Sequence, residues 1–178
     1  MSPLPRWLGR RRRQPIRVEY GERLLAHADA DGVLVGGTRD ALYVVRSRGG
    51  SAVGLEETVR IPWEEVQAAD WDQDSSTLRV IEVGSWGEER PEHRFSIDEP
   101  GLLLELVRER VTASIVLQRH VPIAGRRGVR VIARRAPHGN DPVVWLYEYD
   151  EGVDPDDPAV RRAAEAALVA AQLEVGVV

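Results

Sequence analysis

What most constrains this chain is a rhythm of short apolar segments broken by turn residues, running from residue 22 to residue 97. The segments 23–28, 32–37, 41–46, 57–61, 66–72, 77–82 and 93–97 are each five to seven residues long. That is too short for a typical helix and matches the length and spacing of strands in an antiparallel meander. The connections agree with this. Asp29-Ala30-Asp31-Gly32 joins the first two segments with residues that accept left-handed backbone angles, and Thr38-Arg39-Asp40 and Asp72-Gln73-Asp74-Ser75-Ser76 act alike further on. Seven strands are expected.

Helical periodicity takes over after residue 97. Pro100 stands at a first-turn position with Asp98 before it as a cap, and Leu104, Val107, Val111 and Ile115 recur at spacings of three and four. This predicts a helix to about residue 117, laid over the open end of the sheet. A second unit follows. Val129, Val131 and Ala133 alternate with Arg130, Ile132 and Arg134. After a turn at 136–142, Val143, Trp145, Tyr147 and Tyr149 alternate again, which predicts a β-hairpin. Asp156-Asp157-Pro158 then opens a last helix with Val160, Ala164, Ala167, Leu168 and Ala171 on its apolar stripe. The expected fold class is α+β: a seven-strand antiparallel meander or barrel capped by one helix, plus a C-terminal β-hairpin and helix. The expected division is a basic mobile arm at 1–16, a main domain at 17–118 and a packed appendage at 119–178.

Composition narrows the chemistry. The 178 residues are 43% apolar, enough for one packed domain. Cysteine is absent, so disulfides, thiolate metal sites and a cysteine nucleophile are excluded. All 24 basic residues are arginine, and residues 1–17 hold six of them and no acid. That arm is +6 and the remainder −11, although the whole chain is only −5. No apolar stretch of about 7 to 15 residues follows the arginines, as an export signal requires, and no run nears the roughly 20 apolar residues of a membrane span. The expected location is cytoplasmic, with peripheral contact at the inner membrane face through the arm.

Two phrases carry a family resemblance. Gly37-Thr38-Arg39-Asp40-Ala41-Leu42-Tyr43-Val44 and Ile61-Pro62-Trp63-Glu64-Glu65-Val66, with the seven-strand rhythm and following helix, resemble bacterial pleckstrin-homology-like (PH-like) domains over about residues 20–117. The resemblance implies a binding or scaffolding module with no shared catalytic residues. It also implies that any phosphoinositide headgroup would meet basic residues at the first hairpin loop. Here that loop is Asp29-Ala30-Asp31, whose carboxylates repel phosphate.

Candidate sites are few. Arg6, Trp7, Arg10, Arg11, Arg12 and Arg13 combine an indole with clustered guanidinium groups, suited to an anionic membrane surface or to nucleic acid phosphates. Trp86, in a loop by composition, is a candidate partner contact, as are Arg130 and Arg134 on one face of the predicted hairpin. Acidic residues from 148 to 157 lie close enough to pair with those arginines instead. His27, His93, His120 and His138 are scattered without metal-site spacing, and no nucleophile motif, phosphate loop or dinucleotide fingerprint is present. No cofactor, metal site or catalytic residue is expected. The leading expectation is a non-enzymatic module that binds a protein partner and meets an anionic surface through the arm. Nucleic acid is the less favoured partner because the body is acidic, and an enzyme of unrecognised type is the third alternative.

Overall fold

In the computed structural model, which describes residues 15–47, 56–84, 90–138 and 142–176, four strands follow one another in an antiparallel sheet. They are β1 (Ala26–Ala30), β2 (Val33–Gly37), β3 (Ala41–Ser47) and β4 (Glu56–Pro62), in chain order. Asp31 and Gly32 both take positive φ, 44° and 84°, between the paired Ala30 and Val33. This is the two-residue hairpin turn that an Asp-Gly pair favours. A 3₁₀ turn at Trp63–Glu65 leads into the second sheet, β5 (Val66–Asp72), β6 (Thr77–Glu82) and β7 (Glu92–Ser96), again in chain order. Helix α1 (Leu103–Ala113) follows.

The main core draws on both sheets and α1. Ala28, Val35, Leu42, Val44 and Ile61 from the first sheet meet Leu78, Val80, Phe95 and Ile97, with Leu103 and Val107 of the helix and Trp63 of the 3₁₀ turn. The two phrases that carry the family resemblance meet here. The buried Trp63 donates its indole N–H to the Thr38 carbonyl at 3.1 Å, and its backbone N–H to Asp40 at 3.3 Å. Thr38 Oγ1 in turn accepts from the Asp40 and Ala41 amides. The turn is thereby tied to the entrance of β5.

The outer face of the first sheet is covered as well. Residues 15–25 cross it as a strap, with Ile16 buried among Ala41, Tyr43 and Val45, flanked by Val18, Leu24 and Leu34. Gly36 makes this possible: a Cβ there would lie 2.5 Å from Ile16 Cδ1 and 2.8 Å from Leu24 Cδ1. Ile16, at the end of the segment expected to be an arm, is thereby buried against the sheet.

The expected fold class is overturned. The described residues form ten strands in three antiparallel sheets plus two helices, and not a seven-strand barrel with one cap, a hairpin and a helix. Four and three strands sit in separate sheets, because the chain leaves β4 at Pro62 and turns into a new sheet without closing on the old one. The third sheet, ordered β10-β9-β8, contains β8 (Ile115–Ala124), β9 (Arg127–Arg134) and β10 (Val144–Tyr149). Strand β8 occupies residues read as the end of a helix and a connector. Its side chains alternate in exposure along its whole length, and Ile115, Val116, Val121 and Ile123 are β-branched, which favours strand over helix. α1 also starts three residues after Pro100, with Leu103, Leu106 and Val107 as its buried face.

The last helix follows its local code. α2 (Pro158–Val175) starts at Asp157, whose carboxylate accepts from the Ala159 amide at 2.6 Å, with proline at its first position. It buries Val160, Ala164, Ala167 and Ala171, the last two with Val131 of β9. Among the described residues no helix is long and apolar enough to cross a membrane.

Candidate functional site

Strand β5 is an end strand, with β6 as its neighbour in the sheet. A groove of about 480 Å³ between β5, β6 and α1 is lined by Ala69, Trp71, Leu78, Leu104 and Val107, together with Glu105 and Arg108. The walls are apolar because of two periods. Ala69 and Trp71 share one face of β5 at a spacing of two, whereas Leu104 and Val107 share one face of α1 at a spacing of three. Trp71 and Leu104 are only partly buried on the core. The helix entry adds Leu102, an exposed apolar side chain.

One end of β5 is already engaged. Arg134 reaches across from β9 and donates from Nη2 to the Gln67 carbonyl on β5 at 2.7 Å. Its Nη1 donates to Ser114 Oγ at 2.7 Å and to the Val111 carbonyl at 3.3 Å, at the C-terminal end of α1. A cation fits there because the helix end carries partial negative charge. Arg134 is 2% exposed, and burial pushes its guanidinium pKa down, with Glu148 opposing. Glu148 is itself held by Gln67 Nε2 at 2.7 Å and by Arg130 Nη1 at 3.2 Å. The third sheet is thus bolted to β5 and α1 by a polar network.

These contacts answer the sequence expectations for the basic cluster. Arg134 is buried and engaged within the chain. Arg130 is partly exposed and paired with Glu148, so the intramolecular alternative describes it. Arg6, Trp7, Arg10, Arg11, Arg12, Arg13 and Trp86 lie outside the described residues. Trp71, in the 66–72 segment that alternation marks as a strand, is half-buried and lines the groove, which alternation does not reveal.

A second polar cluster anchors the strap. Glu22 accepts from Thr38 Oγ1 at 2.5 Å, from Tyr43 Oη at 3.0 Å, and from Arg60 Nη2 and Nε at 2.7 and 3.0 Å. Burial alone would raise its carboxyl pKa, but these hydrogen bonds outweigh burial and hold it below the usual range. Burial likewise raises the Tyr43 hydroxyl. Arg60 also lies 3.4 Å from Glu19. This clasp is structural chemistry.

Other clusters are less specific. A cleft of about 530 Å³ at the β1–β2 turn is lined by His27, Asp29, Asp31, Asp98 and Glu99, a set that repels phosphate, as the sequence of that loop implies. On the outer face of the second sheet Arg79 sits between Asp70 and Glu92, and Arg94 also pairs with Glu92, so these charges satisfy one another. Asp150 accepts from His120 and from the Gly128 amide, which keeps its carboxyl below the ordinary range. Among the described residues no group of three or more His, Asp or Glu side chains is placed to hold a metal ion. Comparison with known protein families, curated proteins and solved structures finds no match.

Proposed function

We propose that this protein is a non-enzymatic interaction module that holds an extended segment of a protein partner along β5, in the groove against α1, and meets an anionic surface through its arginine arm. The groove beside the end strand is the observation that carries this reading. An incoming strand would add to the side of β5 that has no strand partner among the described residues, where backbone hydrogen bonds give affinity, while Trp71, Leu104 and Val107 would take its apolar side chains at alternate positions. Engagement of the Gln67 carbonyl by Arg134 leaves the part of β5 beyond it for the partner, so the segment held is short. The resemblance of the Thr38 and Trp63 phrases to PH-like domains, which present surfaces to proteins, lipids or peptides, supports the same class of role.

Selection of displayed random peptides on the full chain tests this. Enriched peptides should carry apolar residues at alternate positions. Their affinity should fall by about tenfold or more in Leu104→Glu, the effect of a buried unpaired charge at an apolar contact. Enrichment of no peptide, or of peptides indifferent to Leu104→Glu and Trp71→Ala, refutes the proposal.

A further inference from the structure

Two hollows adjoin β5, one on each face of the strand. Toward α1 lies the apolar groove of Ala69, Trp71, Leu104 and Val107. On the opposite face a cleft of about 650 Å³ is lined by Asp70, Asp72, Thr77, Arg79 and Arg94, with Trp71 at its margin. The strand period separates them, because residues 69 and 71 point to one side of the sheet and residues 70 and 72 to the other. Cross-strand register carries the polar side onward: Asp70 stands opposite Arg79, and Arg79 opposite Arg94. Trp71 belongs to both linings, so the apolar and the polar hollow meet at one side chain of the end strand.

Charge on the polar face is divided unevenly between the strands. Arg79 and Arg94, opposite each other on β6 and β7, would repel unless an acid intervened. Glu92 does so, 3.0 Å from Arg79 and 2.7 Å from Arg94. The acids of β5 receive less. Asp70 is 3.7 Å from Arg79, and its side chain is 66% exposed. Asp72 accepts from the Asp74 and Ser75 amides of its own turn, which bind the carboxylate without neutralising it. Asp74 is a third exposed acid in that turn. On the groove side Glu105 and Arg108 contribute one charge of each sign. Among the described residues, therefore, the polar face is negative at β5 itself, and its cations stand one and two strands further in.

From this we infer that the protein segment held beside β5 is a cationic amphipathic strand: apolar residues at alternate positions lie toward α1, and lysine or arginine at the positions between lies beside Asp70 and Asp72. The inference rests on the strand-binding part of the proposed function and adds the chemistry of the partner. A strand added to β5 continues its pleat, so its side chains divide between the same two faces. Those turned toward α1 gain burial against Trp71 and Leu104. Those between them stand across from carboxylates, where a cation is attracted and an acid repelled. Neither face alone specifies such a segment; the alternation of the two does.

The test uses full-length protein and capped, fluorophore-labelled peptides of one length, with valine at alternate positions and lysine, threonine or glutamate between. Anisotropy titrations measure their affinity at low and high salt. The lysine peptide should bind about tenfold tighter than the glutamate peptide at low salt, the effect of two cross-strand charge pairs, and the gap should shrink as salt rises. Asp70→Asn with Asp72→Asn should erase most of that gap. Asparagine at 72 keeps an oxygen for the turn amides, and an unchanged circular dichroism spectrum marks the fold as intact. Asp70→Arg should move the preference toward glutamate. Leu104→Ser, which adds no charge, should weaken all three peptides alike. Equal affinity for the three, lowered by Leu104→Ser, overturns the cationic assignment and leaves the strand reading standing. A lysine preference that survives loss of both aspartates overturns their role. If none of the peptides binds, both readings fail. Self-association of the chain that Trp71→Ala abolishes assigns this side of β5 to a second copy and overturns the partner.

Discussion

Replacing Glu22 by glutamine probes the clasp that seats the strap, and the structure sets its magnitude. The carboxylate is 8% exposed and receives hydrogen bonds from Thr38, Tyr43 and both Arg60 nitrogens. A hydrogen bond to a charged group contributes about 1.5–3 kcal/mol net. Glutamine keeps one acceptor oxygen, however, and Arg60 stays partly solvated with Glu19 at 3.4 Å. The expected loss is therefore about 2 kcal/mol at neutral pH, well below the sum over all four bonds. The pH dependence follows from the lowered carboxyl pKa. A group more acidic folded than unfolded gives stability that is complete above its unfolded value, about 4.3, and that vanishes as pH falls through the folded value. Urea unfolding followed by circular dichroism should show wild type more stable than Glu22→Gln at pH 7.5, with the two curves converging toward pH 3. Equal stability at pH 7.5, or a gap as large at pH 3 as at pH 7.5, would refute the assignment of the clasp as a charged, stabilising contact.

Other substitutions separate the remaining parts of the fold. Arg134→Met removes the donor to the Gln67, Val111 and Ser114 oxygens, and should cost about 3 kcal/mol in urea unfolding because buried acceptors lose their partner. It should also raise amide exchange in the third sheet. Gly128→Ala should prevent that sheet from forming, since a Cβ would lie 1.9 Å from the Val121 carbonyl oxygen and 2.7 Å from Pro122 Cα; heteronuclear spectra would show loss of β8–β9 resonances. Asp157→Ala removes the α2 cap and should cost about 1 kcal/mol, read as a lower thermal midpoint, while Asp157→Asn should recover most of it.

Local chemistry accounts for what was legible from sequence. The seven early strand segments, the Asp31-Gly32 turn, and the Asp157 cap with its proline each depend on residues within a few positions of one another, so alternation and turn propensity suffice to place them. The outcome at residues 111–117 was ambiguous on the same terms. Val111 and Ile115 fit a helical stripe, Ile115 and Leu117 fit a strand, and pairing of Leu117 with Ala133 and of Arg119 with Val131 on β9 decides for the strand. Three features depended wholly on tertiary contacts. Ile16 is buried because Gly36 leaves room for it two strands away. Arg134 is buried because the end of α1 and the edge of β5 converge on it. The groove exists because α1 lies beside an end strand. Each of these joins residues distant in the chain through packing that no local period encodes. The sequence by itself therefore determined where the strands, turns and last helix form and where the charge lies. The folded structure alone decided how many sheets they make, which arginine is hidden, and that α1 leaves an apolar groove beside β5.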